Sequence, residues 1–135
     1  MKTILETDYA LVEYDEENYL VQIIWKKVKQ LALENYQNAL DQALNFQAEN
    51  KEKVKFYLSD IRQQGVLSPA YRKWFQEVAI PRALENGLEA GAVIFEGNVF
   101  QKYYLNNIMN STKKFGINFK FFNKREQAVE WFKTL

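Results

Sequence analysis

Residues 9–25, YALVEYDEENYLVQIIW, decide the fold class. Ala10, Val12 and Tyr14 alternate with Leu11 and Glu13; on the return, Tyr19, Val21, Ile23 and Trp25 alternate with Leu20, Gln22 and Ile24. A repeat of two sends successive side chains to opposite faces of a strand. The polar run Asp15-Glu16-Glu17-Asn18 reads as the connecting turn, so the stretch is a β-hairpin. Its second strand is apolar on both faces, the pattern of a strand covered on both sides.

Downstream the period changes. From Ala32 to Asn50, Leu33, Tyr36, Leu40, Ala43 and Leu44 fall on one helical stripe, with Glu34, Gln37, Asp41 and Gln42 outside it. Val54 to Ser59 is a short apolar run of β character. Ser68-Pro69 marks a helix start, serine at the N-cap and proline at the first helical position. Tyr71, Trp74, Phe75 and Val78 are its expected buried stripe. Pro81 kinks or restarts the helix, and Asn86-Gly87 ends it.

Ala90 to Phe95 reads as a strand. Asn98 caps a helix bearing Phe100, Tyr104, Leu105, Ile108 and Met109, which stops at Gly116. Ile117 to Phe122 alternates as the last strand. Asn123-Lys124-Arg125-Glu126 forms a capping box for a closing helix with Ala128, Val129, Phe132 and Leu135 inward. The expected architecture is α/β: a mixed, mainly parallel five-stranded sheet flanked by helices, in the order β-β-α-β-α-β-α-β-α. Residues 1–135 read as one domain, because two cores within this length would each be too small.

Composition narrows the function. Apolar residues make up 47% of the chain and aromatics 16%, enough for a substantial core. Lysine and arginine number 18 against 17 acidic residues, which leaves no electrostatic footprint for nucleic acid or for anionic membranes. No apolar run approaches the roughly 18 residues of a spanning helix, and Met1 to Asp8 does not read as a signal peptide. A cytoplasmic location, without stable membrane insertion, is therefore expected. Histidine and cysteine are both absent, which removes the usual zinc ligands, the thiolate nucleophile and the imidazole base. No cofactor is expected, and any catalysis would rest on carboxylates, lysines, tyrosines or serines.

The individual motifs give no catalytic set. Ser111-Thr112-Lys113-Lys114 matches S-x-x-K, but the mechanism needs its serine at a helix N-terminus and this one falls at a C-terminal end. Lysines there complement the helix dipole. Asn110-Ser111-Thr112 is a glycosylation sequon without a secretion signal. Gly91 and Gly97 have neither G-x-G-x-x-G spacing nor a Gly-Lys-Ser/Thr triplet. Asp15-Glu16-Glu17 reads as a solvated turn, since consecutive carboxylates do not converge on a hard cation unaided.

Topology singles out the strand exits, where ligands of open parallel sheets bind. The residues leaving those exits are Lys26 and Lys27, then Asp60 and Arg62, then Glu96 and Asn98, then Asn123 and Lys124. Ser68 opens the helix beyond the second exit. Lys26, Asp60, Arg62, Ser68, Glu96 and Asn98 form the candidate rim, with Asp60 and Arg62 expected to pair as ions. Trp25, Trp74 and Trp131 are assigned to the core. Tyr103, beside Tyr104 on a helix, faces away from it and marks a candidate interface.

The element order resembles the SpoIIAA-like fold of anti-sigma-factor antagonists, STAS domains and small bacterial STAS/SEC14-type proteins. The stretches that carry the likeness are Tyr57-Leu58-Ser59-Asp60-Ile61-Arg62, Ser68-Pro69-Ala70-Tyr71-Arg72-Lys73-Trp74, and Glu126-Gln127-Ala128-Val129-Glu130-Trp131-Phe132. The resemblance implies a non-enzymatic protein-interaction or regulatory module with a protein partner, expected to form a homodimer. Antagonists of this kind carry a phosphorylatable serine in a D-S-S-G-like loop before the second helix. Here the equivalent is Gly65-Val66-Leu67-Ser68-Pro69, so only Ser68 lies near that place, where it reads as an N-cap worth about 1 kcal/mol. The SEC14-related side of the family implies the alternative: a small-molecule or lipid-type ligand in a pocket at the strand rim.

Overall fold

A computed structural model describes residues 1–65, 67–96, 106, 110 and 113–135. The expected hairpin is β2 (Ala10–Asp15) and β3 (Leu20–Trp25), paired antiparallel from Ala10↔Trp25 to Asp15↔Leu20. Tyr19 closes the turn with φ 54°. Ahead of it lies a strand the periodicity does not announce, β1 (Lys2–Glu6), antiparallel to β2. Its register slips between Thr3 and Leu5, a β-bulge that turns the consecutive Ile4 and Leu5 against the core. The bulge erases the alternation by which a strand is recognised, so the sheet has six strands where five were expected.

Beyond β3 the strands are parallel: β4 (Phe56–Asp60), β5 (Ala90–Ile94) and β6 (Asn118–Phe122), giving the spatial order β1-β2-β3-β4-β5-β6. Neighbours in sequence are neighbours in space, so crossovers of one hand carry their helices to one face. On that face, α1 (Leu33–Glu49) packs over Val21, Ile23 and Trp25 through Tyr36, Ala39, Leu40 and Ala43. Beside it run α2 (Pro69–Trp74), one π-helical turn (Phe75–Ala79) and α3 (Ile80–Glu85). The closing helix α4 (Arg125–Lys133) covers the other face, its Ala128, Val129 and Phe132 against Leu20, Phe56, Leu58 and Ile94. The Phe56 and Phe132 rings stack at 4.5 Å.

The π turn answers the question posed by Pro81. In a straight α-helix the proline ring would meet the Glu77 carbonyl and leave it without a donor. Widening the turn resolves this, and the Ile80 N–H donates to the Phe75 carbonyl five residues back. The extra residue rotates everything that follows. Val78, assigned to the buried stripe by a 3.6-residue period, is 36% exposed, while Ala79, Ile80 and Ala83 turn inward.

Chain ends and caps bring further corrections. Leu135, assigned inward, lies beyond the last helical residue and is exposed. The expected capping box at Asn123 is replaced by a different bond, in which the Asn123 N–H donates to Gln127 Oε1 at 3.3 Å. Ser68 occupies the N-cap of α2, but its side chain makes no capping hydrogen bond. The C-terminus of α3 is built as expected: Gly87 at φ 93°, with Gly87 N–H to Leu84 O and Leu88 N–H to Ala83 O. Gly87→Ala should therefore cost about 1–2 kcal/mol, from the Cβ clash in left-handed backbone. Urea titration checks this, and an unchanged midpoint would contradict the assignment.

Expectations for Asn98, Phe100, Tyr103, Tyr104, Leu105, Ile108 and Met109, like those for Gly97 and Ser111, fall outside the described residues. Lys113 and Lys114 are helical, exposed, and followed by Gly116 at φ 69°. Among the described residues, no helix is long and apolar enough to cross a membrane.

Candidate functional site

Alternation along each strand divides the rim that the sequence presents as one. Asp60 is the last residue of β4 and shares the α4 face with its neighbours Ile24 and Ile94. There it receives a bidentate bond from Arg62, Nε to Oδ1 at 3.0 Å and Nη2 to Oδ2 at 2.7 Å, and the Arg62 N–H also donates to Oδ1. The hydrogen bonds and charge of Asp60 push the guanidinium's pKa upward, with the fields of Glu96 and Glu126 adding to the effect. Asp60 and Arg62 thus form the expected ion pair, with the exposed Glu96 close enough to be felt.

Lys26 and Ser68 lie on the opposite side. The loop after β3 and the loop after β4 enclose a groove of about 330 Å³ whose walls include Lys26, Lys29, Gln30, Gln63, Ser68 and Tyr71. Lys26 is already engaged, its Nζ donating to the Thr7 carbonyl at 2.7 Å and lying 3.6 Å from Glu6. Lys29, Gln30, Gln63 and Ser68 are exposed. The outer wall is braced by Tyr71, whose hydroxyl donates to the Leu31 carbonyl and ties α2 to the loop before α1.

Beneath the groove, between sheet and helices, lies an apolar cavity of about 100 Å³. Ile23, Leu40, Phe75, Ala79, Ile80 and Val93 contribute to its walls, and Gly91 to its sheet side. A Cβ on Gly91 would stand 3.1 Å from the Phe119 ring, so the glycine lets that ring lie across β5. At the groove end Trp25 stacks on Tyr36 at 5.1 Å and donates its indole N–H to Ser59 Oγ at 3.1 Å.

Among the described residues, Trp25 and Gln64 belong to the walls of both spaces. Gln64 is 8% exposed, held at the end of β4 by its backbone N–H to the Ile61 carbonyl. Among the described residues its side-chain amide meets no hydrogen-bond partner. Sequence reasoning passes over it because Gln63 and Gln64 are adjacent identical residues in a polar loop; only the backbone turn separates the exposed one from the buried one.

At the far end of the cavity a polar knot closes the wall. Gln47, fully buried, accepts from the Tyr57 hydroxyl at 2.8 Å and donates to the Ala83 carbonyl at 3.1 Å. The Tyr57 oxygen also lies 3.1 Å from the Ala43 carbonyl. Burial drives the phenol far above its ordinary value of 10.0, so it stays a donor. A broader depression at the other end of the sheet, near Tyr19, Phe132 and Leu135, has only exposed or half-exposed polar residues in its walls.

Asp15, expected in a solvated turn, is instead 8% exposed. It accepts from Asn18 and from Arg125 of α4 and belongs to the framework. Among the described residues no group of acidic side chains is arranged to hold a metal ion. No protein-family model matches the chain, and no curated protein or solved structure matches it significantly.

Proposed function

We propose that this protein is a non-catalytic binding module that receives a small amphipathic ligand at the exits of β3 and β4. One observation carries the reading: the polar groove and the apolar cavity share Trp25 and Gln64, so a ligand entering the first can bury an apolar group in the second. Pockets with apolar walls and a few convergent polar groups are the usual form of small-molecule sites. The non-catalytic part draws support from the phenol bordering the cavity: Tyr57 donates to a fixed acceptor and holds its proton.

The test fills the cavity. Ala79→Leu places three more carbons among its walls. NMR titration with xenon should move the Trp25 indole resonance of the wild-type protein and leave the variant unmoved. Identical behaviour of the two proteins, or no response in the wild type, would defeat the reading.

A second reading, a SpoIIAA/STAS-like regulatory module that binds a protein partner as a homodimer, is favoured by the strand arrangement. The resemblance implies a hairpin leading into parallel strands, which β2 to β6 follow, with β1 an addition to the expected five. Light scattering that shows a monomer at all concentrations, together with pull-downs that recover no partner, would count against it.

A further inference from the structure

The groove and cavity define a ligand more narrowly than "amphipathic", and the following rests on the binding reading above. Gln64 is more than nine-tenths buried, lies at the junction of the two spaces and, among the described residues, has no partner for its amide. A glutamine amide offers one carbonyl acceptor and two N–H donors. The amide is not wholly enclosed, so solvent in the groove reaches it, and a ligand that displaces that solvent must replace its hydrogen bonds. Trp25, the other shared residue, has already committed its indole N–H to Ser59. Hydrogen bonding at the junction therefore falls to Gln64.

Charge sets the second constraint. Among the described residues the buried polar ones are Asp15, Gln22, Gln47, Asp60 and Gln64, and of these only Gln64 borders both spaces. Lys26 is held by Thr7 and Glu6, and Lys29 stands exposed at the outer lip. A carboxylate or ammonium at the junction would lose water without meeting a counter-charge. Volume sets the third. A cavity of about 150 Å³ accepts benzene; at about 100 Å³ this one suits a group the size of isopropyl or isobutyl.

We infer that the site binds a neutral ligand whose head group both donates and accepts hydrogen bonds to Gln64, a carboxamide being the simplest, and whose short branched apolar body fills the cavity. A primary carboxamide pairs with the glutamine through two antiparallel N–H···O bonds, matching donor and acceptor at once.

Calorimetric and NMR titration with 3-methylbutanamide and 3-methylbutanoate, with xenon as an apolar control, separates the possibilities. The amide should bind about tenfold more tightly than the carboxylate at pH 7, the usual size of a net hydrogen-bond contribution. Gln64→Leu should abolish that preference while xenon still moves the Trp25 indole resonance. Gln64→Glu keeps the volume, guards against a misfolded leucine variant, and should also lose the amide. A carboxylate that binds as well as the amide, or a preference that survives both substitutions, overturns the head-group assignment and leaves the cavity reading standing. If even xenon produces no shift in the wild type, both fall together.

Discussion

Arg125→Met should lower the unfolding free energy by about 2–3 kcal/mol near neutral pH, the largest loss expected from any single surface-accessible side chain described here. Arg125 opens α4 and spans to the far end of the hairpin. Its Nη2 donates to Asp15 Oδ2 and its Nε to Gln22 Oε1, each at 2.7 Å. Gln22 is 2% exposed and passes the network on, its Nε2 donating to Glu13 at 3.0 Å. Methionine keeps much of the stem but leaves a buried carboxylate and a buried amide short of partners. Breaking a fully buried pair costs about 3–5 kcal/mol, and the lower figure here allows for solvent reaching the one-third-exposed arginine.

The same network has a pH signature. Burial alone would raise the Asp15 pKa, but hydrogen bonds from Asn18 and Arg125, with the charge of Arg125, outweigh it and hold it below the ordinary 3.8. A folded-state pKa below the unfolded one means the stabilisation is complete above 3.8 and disappears as the pH falls through the folded value. Urea titrations of wild type and Arg125→Met should therefore differ most near neutrality and converge in acid. A loss under about 0.5 kcal/mol, the size of an ordinary surface change, would show that Arg125 is not the tie described.

The second large effect lies at the Tyr57–Gln47 knot. Tyr57→Phe should cost about 1–3 kcal/mol, because Gln47 Oε1 is left fully buried without its donor. Adding Gln47→Leu removes the orphaned acceptor as well, and exchanging both partners for apolar groups of similar shape is close to neutral. The double variant should thus be no less stable than Tyr57→Phe alone, a coupling that a thermodynamic cycle reads directly. Simple additivity of the two losses would refute the knot. Because the folded phenol titrates far above 10.0, wild-type stability should be intact below that pH and fall as the solution becomes more alkaline, a dependence absent from Tyr57→Phe.

How far the sequence could be read follows from which signals are local. Ala10 to Tyr14 alternates in burial, Leu20 to Trp25 is an apolar run flanking the same polar turn, and Asn86-Gly87 carries its own terminator, so the hairpin and the end of α3 are legible. β1 is not, since its bulge places Ile4 and Leu5 side by side against the core. Val78 was misplaced because the π turn adds one residue to a count that assumes 3.6 per turn. Of the candidate site the sequence offers only the strand exits, which follow from the element order; Gln64 carries no mark distinguishing it from Gln63.

By itself, then, the chain determined a layered α/β domain and a chemistry without histidine or cysteine, because periodicity and residue inventory are properties of the string. Tertiary structure alone decided that Asp60 and Arg62 pair on one face while Lys26 and Ser68 border a groove on the other, that Arg125 reaches Asp15 across 110 positions, and that Gln64 stands between groove and cavity. Those outcomes depend on strand parity, on one widened helical turn and on the packing of distant segments. No local pattern of residues encodes them.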